Sequence, residues 1–276
     1  MYETLIISGG GVNGFELLGA LHYLEKKQLL SVQVYSGCSI GSILCYLHSI
    51  GYSAYDILSH LLTSNLLQRL AEFDFSKIVN GNGITSYHPL QEELTRLTLD
   101  KYDHVPTMKE LYELTGKELY IATFNLTQYK EEYISYKTHP DMSVLDACRA
   151  SANLPFIFEE FEYDGNLYVD GGVLDCFPVR IPNTTFHKVI GLNVSYPKRP
   201  IQRDSELVKK IQGVLFAGIR TTTRRKIRHA LKKMHDVVDI EIDGNESFYD
   251  FKLEKTRCLD KFSHGYVSAK TYMIAI

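Results

Sequence analysis

Two short apolar segments in the first fifty residues each run into a glycine-rich turn and then into a helix-spaced apolar series, and this repeat narrows the possible folds sharply. Thr4 to Ser8 reads as a buried strand and Gly9 to Gly14 as the turn, after which Phe15, Leu18, Leu21 and Leu24 recur at helical spacing. Val32 to Tyr35 repeats the pattern, with GCSIGS leading into a helix that ends near Gly51. Parallel neighbours need a crossover connection, usually a helix, so the two units predict a largely parallel sheet covered by helices.

Further along, Ser53 with Asp56 and Thr107 with Glu110 have the spacing of capping boxes and predict two helix starts. Lys117 to Leu126 and Glu131 to Lys137 read as strands, and Ser143 to Ser151 as a helix. FEYDGNLYVDGG reads as a hairpin turning at Asp164-Gly165. Strands are expected from His187 to Val194 and from Val237 to Ile242, and a helical segment from about Asp204 to Met234, with breaks at Gly213 or Gly218. No linker, repeat or low-complexity tract divides the 276 residues, so residues 1–276 are expected to form one domain. With 45% hydrophobic and 23% charged residues the chain can bury a core, which excludes disorder.

The start, MYETLIISGGG, lacks a basic segment followed by an apolar stretch, and no run reaches the ~18 apolar residues of a membrane span. The expected location is the cytoplasm. Five cysteines (Cys38, Cys45, Cys148, Cys176 and Cys258) form no C-x-x-C pair, which argues against a zinc site or a disulfide framework. The formal net charge of −3 offers no general reason for a nucleic-acid partner. One region departs from this average: residues 209–233 hold nine Lys or Arg and no Asp or Glu.

Three glycine-rich turns could carry chemistry. The first, SGGGVNG, places Gly9, Gly11 and Gly14 in the dinucleotide pattern G-x-G-x-x-G, but the following strand lacks the acidic residue that would hold a ribose. Its exposed amides at a helix start could instead hold a developing negative oxygen, or the turn could be a plain connection. The second, Gly37-Cys38-Ser39-Ile40-Gly41, fits G-x-S-x-G between a strand and a helix, where a strained turn presents a serine and the next amide, that of Ile40, can join an oxyanion hole. The alternative is a helix-capping serine. Cys38 flanks the serine as a small buried thiol. The third, Asp170-Gly171-Gly172, ends the strand Asn166 to Val169 and by itself reads more readily as a plain turn than as a catalytic acid.

A Ser-His-Asp hydrolase of the doubly wound kind has several strands before its elbow, and Ser39 comes too early for that. His187, His229, His235 and His264 lie downstream, none in a turn that would present it at a cleft. Glycine loop, elbow and a distant acid in that order suit a Ser-Asp dyad. With GGGVNG, GCSIG, RASANLPFIF and DGGVLDCFPV in this order, the sequence resembles the patatin-like phospholipase family over roughly residues 5–180. The last hundred residues carry only a faint similarity around LDKFSHGY and are expected to complete the same domain.

The resemblance implies a three-layer α/β/α sandwich with a largely parallel central sheet. It also implies a serine lipid acyl hydrolase with Ser39 as nucleophile and Asp170 as base. Oxyanion donors would come from Gly9, Gly10, Gly11, Val12 and Ile40, and Gly14, Gly37, Gly41, Gly171 and Gly172 would be supporting turn glycines. It implies neither cofactor nor metal, and a phospholipid or other acyl lipid as substrate. An Asp with an ordinary pKa of ~3.9 is a poor base at neutral pH, so Asp170 is expected to be desolvated. Family members usually carry Lys or Arg where this chain has Asn13, which brings no positive charge and bears on catalytic vigour and headgroup preference. A silent lipid-binding protein is the alternative function. The stretch ASANLPFIF reads either as a helix-to-strand loop or as cleft lining, with no residue singled out. In the basic stretch, Ile227, Ala230, Leu231 and Met234 share a helical face, which suits either docking on anionic lipid or a core-packed helix with a solvated basic side.

Overall fold

The computed structural model describes residues 1–74, 83–180, 188–195, 217–218, 221–229, 232, 236–241 and 250–276. Its centre is an eight-stranded sheet built from β1 (Tyr2–Ile7), β2 (Leu30–Cys38), β3 (Glu118–Asn125), β4 (Lys130–Ile134), β5 (Phe161–Tyr163), β6 (Asn166–Asp170), β7 (Val189–Ser195) and β8 (Asp236–Glu241). Strands β3, β2, β1, β7 and β8 run parallel in that spatial order, while β4, β6 and β5 join through antiparallel pairings. The expected largely parallel sheet covered by helices is present. β1 and β3 are buried along most of their length on both faces, as central parallel strands are.

The register on β3 positions the site. β2 pairs with β3 up to Cys38 opposite Ala122, and β4 occupies the other edge over Ile121 to Asn125. β6 pairs antiparallel with Thr123 to Asn125, so it must lie on the same edge as β2 and meet it end to end, with Asp170 opposite Thr123. Adjacent residues of β3, Ala122 and Thr123, therefore face the two chain ends that carry Ser39 and Asp170. The hairpin behind β6 turns at Asp164 (φ 48°) and Gly165 (φ 69°), the left-handed pair that a two-residue type I′ turn requires.

The first crossover helix, α1 (Gly14–Lys26), buries Phe15, Leu18, Leu21 and Leu24, and α2 (Ile40–Ser49) follows β2 directly. Both capping boxes form, at the starts of α3 (Ala54–Thr63) and α6 (Met108–Thr115), with α4 (Leu66–Leu70) and α5 (His88–Leu99) between them. α7 (Val144–Ala152) precedes the hairpin, and the short α8 (Gly172–Asp175) follows β6. The C-terminal α9 (Lys255–Ala275) is an addition to the sequence reading. It packs against α1 so closely that a Cβ on Gly19 would lie 1.9 Å from the Phe262 carbonyl oxygen, and one on Gly265 would lie 1.8 Å from that of Glu16. Among residues 204–234, those at 217–218, 221–229 and 232 are helical, and the other residues of that expected helix lie outside the described residues, as do His187 and His235. No helix among the described residues is long and apolar enough to cross a membrane.

Candidate active site

Ser39 sits between the last residue of β2 and the first of α2 with φ 53° and ψ −128°, left-handed backbone that costs a non-glycine residue about 1–3 kcal/mol. Its neighbours explain how the turn closes. A Cβ on Gly37 would come within 2.5 Å of the Gly41 carbonyl oxygen, and one on Gly41 within 2.3 Å of that of Ile7. Backbone thus packs on backbone at both glycines of G-x-S-x-G, and the strain falls on the residue between them. The Ser39 side chain makes no helix-capping bond, which removes the capping alternative. Its backbone N–H is taken by Ser151 Oγ at 2.8 Å.

Asp170 is 2% exposed. Oδ1 accepts the Gly172 N–H at 2.7 Å, and Oδ2 is buried with no hydrogen-bonded donor. Burial pushes its pKa up from 3.8 to about 6, against the opposing influence of the Ser39 hydroxyl first and the Gly172 amide second. The Ser39 hydroxyl thus favours the carboxylate form of Asp170. Cys38 lies on the buried side, its Sγ 3.9 Å from Asp170 Oδ1, and burial raises its pKa well above that of a free thiol. It is a packing thiol with no thiolate to offer.

The first glycine turn lies alongside the elbow. A Cβ on Gly14 would meet the Ile40 side chain at 2.6 Å, and one on Gly9 would stand 3.3 Å from Ser39 Cβ. Gly11–Asn13 form one turn of 3-10 helix, closed by Asn13 N–H to the Gly10 carbonyl at 3.1 Å, with Gly11 at φ 56°. The first amides of a helix have no acceptor within that helix, which applies to those of Gly11 and Val12 here and to those of Ile40 and Gly41 in α2. Gly9 differs from the sequence expectation. Its amide donates to the Cys176 carbonyl at 2.9 Å, so it ties the turn to the segment after β6 and is not an oxyanion donor. Gly171 packs on β3, where a Cβ would lie 2.3 Å from the Ala122 carbonyl oxygen, and one on Gly172 would crowd Asp170 Oδ1 at 2.8 Å.

A cavity opens from Ser39 between α1, α2, α3, α4 and α5. Apart from Ser39 itself, only His60 and Glu93 among its lining residues carry polar side chains. The remainder is leucine, isoleucine, valine, phenylalanine, alanine and glycine, including Ile43, Leu61, Leu94 and Phe158. An extended hydrocarbon fits such a lining, and a charged or sugar-bearing ligand does not.

Two residues escaped the sequence reading although their motif was noticed. Ser151, near the end of α7, accepts the Ser39 N–H and donates to the Ala122 carbonyl at 2.5 Å. The carbonyls of Ser151 and Asn153 take the N–H groups of Gly171 (3.2 Å) and Asp170 (2.9 Å), and Asn153 Nδ2 donates to the Tyr168 carbonyl at 3.1 Å. One helix end thus grips the elbow and the acid-bearing strand together. The signal was the string RASANLPFIF, but nothing local to it shows that Ser151 points at the elbow.

In the basic segment, Lys226 and Ile227 are buried while Arg224, Arg225, Arg228 and His229 are exposed. Lys226 Nζ is 2.6 Å from Asp175 Oδ1, and Tyr133 donates to Oδ2 of the same carboxylate at 2.5 Å. This helix is therefore pinned to the turn that follows Asp170, with a basic face left in solvent.

Comparisons place this geometry among known proteins. A family model described as patatin-like phospholipase matches residues 5–182. Over 186 residues the chain is 38% identical to the probable lipid hydrolase 463L of Invertebrate iridescent virus 6, a match covering 65% of this chain and 63% of the relative. It is 28% identical to the uncharacterized protein YqhO of Bacillus subtilis, over 80% of this chain and 81% of that one. The chain thus spans just under two thirds of the viral relative. In fold it resembles VipD of Legionella pneumophila, with a TM-score of 0.57 at 15% identity over 99% of this chain and 67% of that one. ExoU of Pseudomonas aeruginosa, seen in its complex with SpcU, gives 0.54 at 17% identity over 99% and 51%.

Proposed function

Because the chain belongs to the patatin-like phospholipase family, we propose that it is a serine acyl hydrolase that cleaves fatty-acyl esters of phospholipids or related lipids with a Ser39-Asp170 dyad. The observation that carries this reading is the position of Ser39, held in a strained turn between a buried carboxylate of pKa about 6 and the mouth of an almost wholly apolar cavity.

The acyl chain enters the cavity and brings its ester carbonyl to Ser39. Asp170 takes the hydroxyl proton as Oγ attacks, and a carboxylate of pKa about 6 is ionised at neutral pH yet a stronger base than an ordinary Asp. The amides of Gly11, Val12 and Ile40 donate to the oxyanion of the tetrahedral intermediate, with Gly10 shaping the same turn. Collapse breaks the ester bond, and the proton passes from Asp170 to the departing alcohol oxygen. Water then attacks the acyl-enzyme as Asp170 accepts its proton, and collapse of the second tetrahedral intermediate breaks the bond to Ser39 Oγ, which takes that proton back from Asp170 as the fatty acid leaves. Every group in this sequence comes from the chain itself, so the mechanism calls on no metal or cofactor. The exposed Arg224, Arg225 and Arg228 support peripheral contact with anionic membrane, the source of the substrate.

Intact-mass analysis after fluorophosphonate treatment tests the reading. A single adduct is expected on wild type and none on Ser39→Ala. A folded wild type that takes no adduct overturns the dyad and favours a silent lipid-binding protein.

A further inference from the structure

Asn13 closes the oxyanion turn, and its Oδ1 accepts a hydrogen bond of 2.8 Å from Lys261 Nζ of α9, 248 residues away in sequence. The same ammonium stands 3.0 Å from Glu16 Oε1, one turn along α1. Asn13 is 0% exposed, Glu16 2% and Lys261 3%. The backbone of α1 is gripped at the same level, since Gly265 of α9 lies against the Glu16 carbonyl. Lys261 does not line the cavity. A buried ion pair is a weak way to gain stability, because apolar residues of equal volume do as well or better. It does define one position for the groups it joins, and one of these is the turn whose Gly11 and Val12 line the same cavity as Ser39.

We propose that Lys261 is a positioning residue for the oxyanion turn: through Asn13 and Glu16, α9 sets where the donating amides stand relative to Ser39. The inference rests on the hydrolase reading above. Displacing such donors by a fraction of an ångström weakens only the interaction made in the transition state, so the loss belongs in kcat and not in KM.

The double variant Glu16→Gln/Lys261→Met removes both charges of the pair together. Its turnover of a short, soluble p-nitrophenyl ester, per site titrated with fluorophosphonate, is expected to fall on the order of 10- to 100-fold with KM within about twofold, given the usual cost of losing oxyanion donation. Lys261→Arg, which keeps a cation and its donors, is expected to recover most of that loss. A double variant that melts cooperatively and turns over within about twofold of wild type overturns the proposal. Should the double variant not fold, Asn13→Ala removes the Lys261 hydrogen bond to the turn and keeps the Lys261–Glu16 ion pair, and unchanged kcat there overturns it equally. Failure of the hydrolase reading is separately visible, because wild type itself would then take no fluorophosphonate.

Discussion

In the proposed dyad, Asp170 joins catalysis to stability through one carboxyl group. Its folded pKa of about 6 lies above the ordinary 3.8, so the folded state binds the proton more tightly than the unfolded state between those values. Stability contributed by the group is therefore complete below pH 3.8 and falls as pH rises through 6, a loss of about 3 kcal/mol at neutral pH. Asp170→Asn keeps the shape and an acceptor for the Gly172 amide but carries no charge to bury. It is expected to melt higher than wild type above pH 6, by an amount that shrinks towards pH 4 in a pH series of melting curves, while losing activity about as completely as Ser39→Ala. The ester kcat/KM of wild type should rise with pH through an apparent pKa near 6. Both residues were legible in the sequence, Ser39 from glycine spacing around a strand end and Asp170 from its place in the order of motifs. Ser151 was not, because a serine whose partner lies 112 residues away carries no local mark. Ser151→Ala leaves the Ser39 N–H unsatisfied, at about 1–3 kcal/mol, and should lower turnover roughly 10-fold with the fluorophosphonate adduct still formed.

At the level of elements, close backbone approaches decide what the turns tolerate. Gly41→Ala would drive a methyl into the Ile7 and Ser8 carbonyls, so it should lower stability by about 2 kcal/mol or more in a denaturant titration and slow fluorophosphonate capture in whatever protein folds. The two opening strand-turn-helix units, both capping boxes and the I′ hairpin follow from local rules and were readable residue by residue. β2 runs longer than its apolar core suggested, from Leu30 to Cys38, because pairing on both edges extends a strand beyond its side-chain signal. α9 was not read. It buries Lys261 and Gly265 where a helical stripe ordinarily shows leucines, so its contact with α1 leaves no apolar periodicity to detect. The sequence also showed Asn13 as a missing charge, whereas the fold brings a cation to that side chain from α9.

Across the whole molecule, the apolar cavity opens at the elbow and the basic helix is tied by Lys226 to Asp175 after the acid turn. Leu61 lines the cavity and is only partly buried, so Leu61→Trp should shorten the space for hydrocarbon without disturbing the core. Long-chain esters are expected to lose turnover by about 10-fold or more while a butyrate ester keeps it, and equal losses on both would remove the acyl chain from this cavity. Charge reversal at Arg224, Arg225 and Arg228 should weaken sedimentation with anionic vesicles several-fold and leave soluble-ester turnover intact. The basic face, with Ile227 turned inward, was expected from helical spacing, whereas the cavity could not be drawn from sequence, since it depends on which helices stand side by side.

The meeting of β2 and β6 on one edge of β3 has a further consequence for the history of each molecule. Nucleophile and base arrive on separate strand ends and become neighbours only when both have docked on Ala122 and Thr123. A chain emerging during synthesis presents Ser39 long before Asp170 exists, and α9 follows both. In the proposed dyad, a chain whose β6 has not yet docked holds Ser39 without its base, so activity would appear only with the finished sheet, an interlock written into strand order.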